Sequence, residues 1–253
     1  MSIVSIITPT GDRPDCFALL EMWVAAQTAD VDIEWIVVDD GDVPTECTMG
    51  QRYIRRSRSS NEPDHTLPLN MMAALDEGIE GDYLFVFEDD DYYHPTYIDF
   101  YLAMLKSCDL VGEGCARYYH FPAQKWWRLG NMNHASLAQT AMRRSMLPKL
   151  AEACKPHTQP FIDLRLWKGA RRDRTSLRIH NGSSDQPALH CSLKAMPGRF
   201  NNVCIGAFPN RGRYQLDTGC EMLRRWTGPG WPQYQRLADT LATGPMTPQK
   251  QNS

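Results

Sequence analysis

Apolar residues along this chain fall into short continuous runs and into helically spaced sets, and the two patterns alternate. Ile3 to Thr8 is a β-branched run that ends at Pro9. Phe17 to Thr28 follows with apolar residues three and four apart and Pro14 near its start, which predicts a helix. Ile33 to Val38 is a second strand, closing in Asp39-Asp40-Gly41, and Arg52 to Arg56 is a short third one. Leu67 to Ile79 reads as helix, Tyr83 to Phe87 as strand, Thr96 to Lys106 as helix and Leu110 to Cys115 as strand. This alternation predicts an α/β fold with a mostly parallel central sheet flanked by helices. Ligands of such sheets collect beyond the carboxyl ends of the strands. Three strand ends carry polar chemistry here: Pro9-Thr10, Asp39-Asp40 and Glu88 to Asp91. They are expected to converge on one crevice.

The pattern changes after residue 115. Tyr118 to Arg128 is rich in aromatics, and Met132 to Thr140 is expected to pair with it as a hairpin. Arg143 to Cys154 and Phe161 to Ala170 read as helices, and Ala188 to Met196 as a strand before the Pro197-Gly198 turn. The polar, proline-containing segment after Leu241 reads as a disordered tail, 241–253. Residues 1–116 and 117–240 read as two halves of one domain, with a smaller region beside the central sheet.

Composition narrows the classes. The chain has 253 residues, 42% hydrophobic and 23% charged, which is enough for one large domain. A net charge of −3 supplies no global attraction to nucleic acid or anionic membrane. Arginines do cluster locally: Arg52, Arg55, Arg56 and Arg58; Arg143 and Arg144; Arg171, Arg172, Arg174 and Arg178. Each cluster reads either as a phosphate-contacting patch or as ordinary solvated surface. The eight cysteines show no CxxC pair, and no apolar run reaches membrane-spanning length or resembles a signal peptide. A reduced, cytoplasmic protein with no membrane association is expected.

The most informative stretch is the strand Tyr83 to Phe87 running directly into Glu88-Asp89-Asp90-Asp91. Four adjacent carboxylates repel one another unless a positive charge compensates them. A hard divalent cation with oxygen ligands, Mg²⁺ or Mn²⁺, does so and keeps positions open for substrate phosphates. The alternative is a solvated loop or a helix N-terminus, since Asp91 lies just ahead of Pro95 and a helical pattern. A diphosphate bound beside such an ion carries negative charge, which the metal and cationic side chains stabilise. Arg13, Arg56, Lys194 and Arg199 are the candidate cations.

The order of these motifs resembles the GT-A glycosyltransferases, family-two-like. The resemblance rests on Ile6-Ile7-Thr8-Pro9-Thr10, on Asp39-Asp40-Gly41-Asp42, and on Gly81-Asp82-Tyr83 followed by Asp89-Asp90-Asp91 through Pro95. It covers about the first half of the chain. It implies a GT-A, Rossmann-like fold in which residues 1–116 bind a nucleoside-diphosphate sugar, a UDP-sugar foremost, and 117–240 bind the acceptor and carry the catalytic group. Pro9 and Thr10 would border the base, Asp40 would accept from its imide with Asp39 nearby, and Asp89 would approach the ribose. Asp90 or Asp91 would hold the metal, with His190 as a further ligand; a hydrogen-bonded core histidine is the alternative there. Asp42 replaces the family's usual serine.

Related enzymes carry a base four residues before a tryptophan. Phe161-Ile162-Asp163-Leu164-Arg165-Leu166-Trp167 keeps both, which implies Asp163 as the catalytic base of an inverting transfer. Ile162 stands where the family often has Glu. Leu193 to Arg199, Leu216-Asp217 to Leu223 and Trp226-Thr227-Gly228 also resemble phage-encoded glycosyltransferases, some of which modify DNA. That implies hydroxymethylated pyrimidines in DNA as an acceptor, with the arginine clusters on phosphates and Trp126 and Trp127 stacking on bases. A nucleotidyltransferase and a non-catalytic nucleic-acid-binding module are the other readings. No Gly-rich phosphate loop follows the first strand, which disfavours the former.

Overall fold

The N-terminal β-branched run becomes the hub of a seven-stranded sheet. The computed structural model describes residues 2–181, 188–199, 209 and 213–243. In chain order the elements are β1 (Ile3–Thr10), α1 (Pro14–Ala25), β2 (Asp32–Asp39), β3 (Arg52–Arg55), α2 (Leu67–Asp76), β4 (Tyr83–Val86), β5 (Tyr92–Tyr93) and α3 (Tyr97–Leu105). Then come β6 (Leu110–Glu113), β7 (Cys115–His120), β8 (Lys125–Gly130), β9 (Thr140–Arg143), α4 (Leu147–Cys154), α5 (Ile162–Arg172), β10 (Leu177–His180) and β11 (His190–Lys194). β12 (Gln215–Leu216), α6 (Glu221–Thr227) and α7 (Trp231–Thr243) follow.

The large sheet runs β3-β2-β1-β4-β9-β6-β10. β1 lies parallel to both β2 and β4, and only β9 runs against its neighbours. Both faces are covered. Val4, Ile6, Phe85 and Phe87 pack toward α1, α3, α6 and α7, while Ile7, Leu84 and Val86 pack toward α2, α4 and α5. Side chains alternate across a strand, so a strand buried on both faces is apolar at most positions, and the buried Ser5 and Thr8 of β1 are hydrogen-bonded to Glu34 and Trp35. That is why these strands appear in the sequence as nearly continuous apolar runs. A smaller five-stranded sheet, β12-β8-β7-β11-β5, sits beside the large one.

The second half departs from expectation in three places. The hairpin forms inside the aromatic stretch, between β7 and β8, and not with Met132–Thr140. Residues 140–143 instead become β9, because Ala141 and Met142 fill the gap between β4 and β6 in the main core. The run 110–115 divides at Gly114, where the chain leaves one sheet for the other. β5, β10 and α7 form without having been expected, β5 through only two residues of pairing. The expected disordered tail lies, beyond Thr243, outside the described residues.

α5 buries Ile162, Leu166, Trp167 and Ala170, one stripe of an amphipathic helix. Asp163 follows Ile162 and so falls at the edge of that stripe. No helix among the described residues is long and apolar enough to cross a membrane.

Candidate functional site

Strand order reverses at β1: β2 lies on one side and β4 on the other, so their following loops part and leave a crevice. A cleft of about 690 Å³ opens there. Pro9 and Thr10 at the end of β1, Arg13 after it, Glu88 to Asp90 after β4, Lys194 and Arg199 around the end of β11, and Asp163 at the start of α5 all line it.

The four carboxylates of the acidic run have different surroundings. Asp89 accepts from the Thr10 hydroxyl at 2.8 Å and from Arg13 at 3.0 Å. The same Arg13 nitrogen lies 2.9 Å from Asp90. Asp91 turns back beneath β11, where it accepts from His190 Nε2 (2.9 Å), Ser192 Oγ (3.0 Å) and the Leu193 amide (3.0 Å), with Lys194 Nζ at 3.6 Å. An ionised carboxylate has about four lone-pair sites, and three of Asp91's are taken by these hydrogen bonds. Glu88 and Asp90 remain turned to the cleft.

The charges strain against one another. Burial pushes the Glu88 carboxyl well above its ordinary range, and the Asp91 charge adds to that. Burial also raises Asp89, against the pull of Arg13. Burial would raise Asp91 too, but Lys194 and His190 outweigh it and hold that carboxyl low. Glu88, Asp90 and Asp91 each bring one oxygen to within 4.8 Å of the others. Two carboxylates at that separation repel by about 3 kcal/mol in a medium of effective dielectric near 20. Clustered hard oxygens that resist joint ionisation suit a divalent cation of the Mg²⁺ or Mn²⁺ type.

The expected donor residues divide into two groups. Pro9, Thr10, Arg13, Asp89, Lys194 and Arg199 line the cleft. Asp39, Asp40 and Arg56 stand behind its wall. Asp39 accepts from the Gly41 and Thr45 amides (2.8 and 2.7 Å) and from the Tyr53 hydroxyl (2.7 Å), which fixes the turn after β2. Asp40 pairs with Arg56 at 2.8 Å and with Arg199, and Arg56 also holds Asn70 and Glu62. Burial works against Asp40, yet Thr66, Arg199 and Arg56 together hold its carboxyl below the usual range. Asp40 thereby sets the position of Arg199. The loop that carries Arg199 crosses the β1 loop at Gly198, whose φ is +103°; a Cβ there would lie 2.5 Å from the Asp12 carbonyl.

His190 is fully buried, packed against Tyr93, with Nε2 on Asp91 and its Nδ1 without a hydrogen-bond partner. It ties β11 to the acidic run from behind.

Asp163 sits across the cleft. His134 Nε2 lies 3.7 Å from its Oδ2, and Asn131 Nδ2 lies 2.8 Å from His134 Nδ1. Burial raises the Asp163 carboxyl, and His134 pulls it back. His134 escaped the sequence reading because no spacing rule links it to Asp163. Glu88 was visible in the acidic run but drew no separate role, since only the fold shows which of the four carboxylates face the cleft.

Elsewhere, arginines are tethered. Arg52 and Arg55 pair with Glu34 and Asp39, Arg143 holds the Leu105 and Cys108 carbonyls, and Arg144 holds the Glu80 carbonyl. Trp126 and Trp127 point to opposite faces of β8: one packs on Trp226, the other stacks on Tyr118.

No family model matches this chain, and no curated protein does. Solved structures do. S. aureus TarS, residues 1–349, aligns with a TM-score of 0.50 at 14% identity, covering 76% of this chain and 60% of that one. The same fragment in complex with UDP gives the same values. This chain thus spans about 60% of the length of those neighbours. The likeness establishes the fold as the GT-A type, a mixed α/β structure around a mostly parallel sheet.

Proposed function

We propose that this protein is a glycosyltransferase that moves a sugar from a nucleoside-diphosphate donor, a UDP-sugar, to an acceptor hydroxyl with inversion at the anomeric carbon. One observation carries the reading. A single cleft at the strand-order reversal holds an acidic, cation-suited cluster on one side and a partly buried carboxylate, Asp163, on the other. The neighbouring TarS fragment holding UDP supports the choice of donor.

Glu88 and Asp90 would hold Mg²⁺ or Mn²⁺, while Asp91 and His190 brace the loop that presents them. Such an ion supplies Lewis-acid stabilisation to a departing diphosphate. Lys194, Arg13 and Arg199 line the same side and add fixed positive charge for the leaving group. Thr10 and Arg13 hold Asp89 in place for the nucleoside portion. Asp163 accepts the acceptor's proton as its oxygen forms a bond to the anomeric carbon and the bond to the diphosphate breaks. The products are the glycosylated acceptor and a nucleoside diphosphate.

The test is a screen of nucleotide sugars with and without Mn²⁺, scoring release of nucleoside diphosphate. Hydroxymethylated DNA, the acceptor that the sequence resemblance implies, forms one arm of it. Asp90→Ala is expected to abolish turnover and metal-dependent nucleotide binding; Asp163→Asn is expected to lose transfer but retain donor binding. Release of pyrophosphate would assign a nucleotidyltransferase instead, and normal transfer by Asp163→Asn would remove it as the base.

A further inference from the structure

Charge is unevenly distributed around the cleft. Among the described residues its wall contains one lysine and two arginines, Lys194, Arg13 and Arg199. All three are bound to the acids of the donor side: Lys194 to Asp91, Arg13 to Asp89 and Asp90, and Arg199 to Asp40. The Asp163 side presents a carboxylate and His134. Arg165, two residues on and so on the far side of α5, is taken up by the carbonyls of Ala153, Gln159 and Pro160. A phosphate placed against Asp163 would meet like charge, and no lysine or arginine lines the cleft on that side.

The same side is apolar. Phe161 and Leu164 flank Asp163 in sequence, line the cleft, and are each 44% exposed. Leu137 and Leu129 continue the surface. Phe161 also adopts a left-handed backbone conformation, φ +65°, at the start of α5. L-residues with a Cβ seldom occupy that region, and such strain concentrates at ligand-contacting positions. Cys220 opens α6 in the same conformation but is buried, whereas the Phe161 ring stays open to the cleft, where a flat ligand can rest on it.

We propose that the Asp163 side of the cleft is an acceptor subsite for a hydroxyl carried on an uncharged, planar body, with Phe161 as its stacking platform. This rests on the glycosyltransferase reading above. Any phosphates of a larger acceptor would lie outside the cleft.

The experiment uses the intact chain with Mn²⁺ and whichever UDP-sugar it hydrolyses. 5-Hydroxymethyluridine and benzyl alcohol serve as neutral planar acceptors, and glycerol 3-phosphate as the charged, non-planar one. Glycosylated product is measured by mass spectrometry. The neutral planar acceptors are expected to exceed glycerol 3-phosphate in kcat/KM by about tenfold or more. Phe161→Ala is expected to raise the KM for 5-hydroxymethyluridine by about tenfold, the usual scale for losing one aromatic stacking partner, and to move the donor KM far less. Phe161→Tyr, which keeps the ring, is expected to restore the acceptor KM. Equal or better use of glycerol 3-phosphate, transfer to neither planar probe, or an acceptor KM indifferent to Phe161→Ala overturns the inference while leaving the donor chemistry standing. If no nucleotide sugar turns over at all, the glycosyltransferase reading falls and this inference falls with it.

Discussion

Replacing Asp91 by Asn separates a tether from a metal ligand. The wild-type carboxylate is fully buried and faces four donors, one of them the Lys194 ammonium, whose side chain is 9% exposed. Asparagine keeps the size and removes the charge, and its NH₂ cannot replace the oxygen that the Leu193 amide and the Lys194 ammonium, both donors only, require. Removing one partner of a buried charged pair costs about 3–5 kcal/mol, because the remaining charge stays desolvated. In a chain of this size each kcal/mol lowers Tm by about 2–4 °C, so the drop is expected to be roughly 6–20 °C. Thermal melts by near-ultraviolet circular dichroism measure it, and a cycle with Lys194→Met isolates the coupling between the two residues. Because the Asp91 carboxyl is held below its unfolded value of about 3.9, its contribution is complete above that pH and fades as pH falls through the lower folded value. The gap between wild type and Asp91→Asn is therefore expected to narrow in acid. A variant that melts within about 2 °C of wild type at neutral pH while losing Mn²⁺ binding would refute the tether.

Two further outcomes are expected. His134→Ala removes the group that pulls the buried Asp163 carboxyl downward, so the acid limb of the pH profile of kcat/KM moves to higher pH; an unmoved limb means the two residues are not coupled. Gly112→Ala places a Cβ 2.5 Å from Ala135 Cβ and 2.7 Å from the Trp167 ring. With Trp167 fully buried, that overpacking is expected to cost about 1–3 kcal/mol in urea unfolding, and an unchanged midpoint would show that the ring can shift freely.

The first half of the chain was legible because its strands are buried on both faces. Ile3–Thr10 and Tyr83–Val86 are therefore largely apolar, and the switch to polar residues marks where each one leaves the core. Order along the chain then placed Thr10, Asp89 and Asp90 together, since parallel neighbours end on the same edge. Asp163 was legible too, but as a resemblance to a motif and not through any contact that spacing could express.

What the chain could not show by itself was the direction each acid faces. Glu88, Asp89, Asp90 and Asp91 look equivalent in sequence. Only the antiparallel pairing of Tyr92 and Tyr93 with β11 turns Asp91 inward to His190, Ser192 and Lys194 and leaves Glu88 and Asp90 toward the cleft. The same holds for Asp39 and Asp40, which the fold assigns to a turn and to Arg199. Likewise β9 found its place through a gap between β4 and β6 that no local pattern describes. Local periodicity specifies which residues are buried. Which buried carboxylate is neutralised by the protein, and which is left for a ligand, depends on charges brought close from about a hundred residues away, such as His190 and Lys194 facing Asp91.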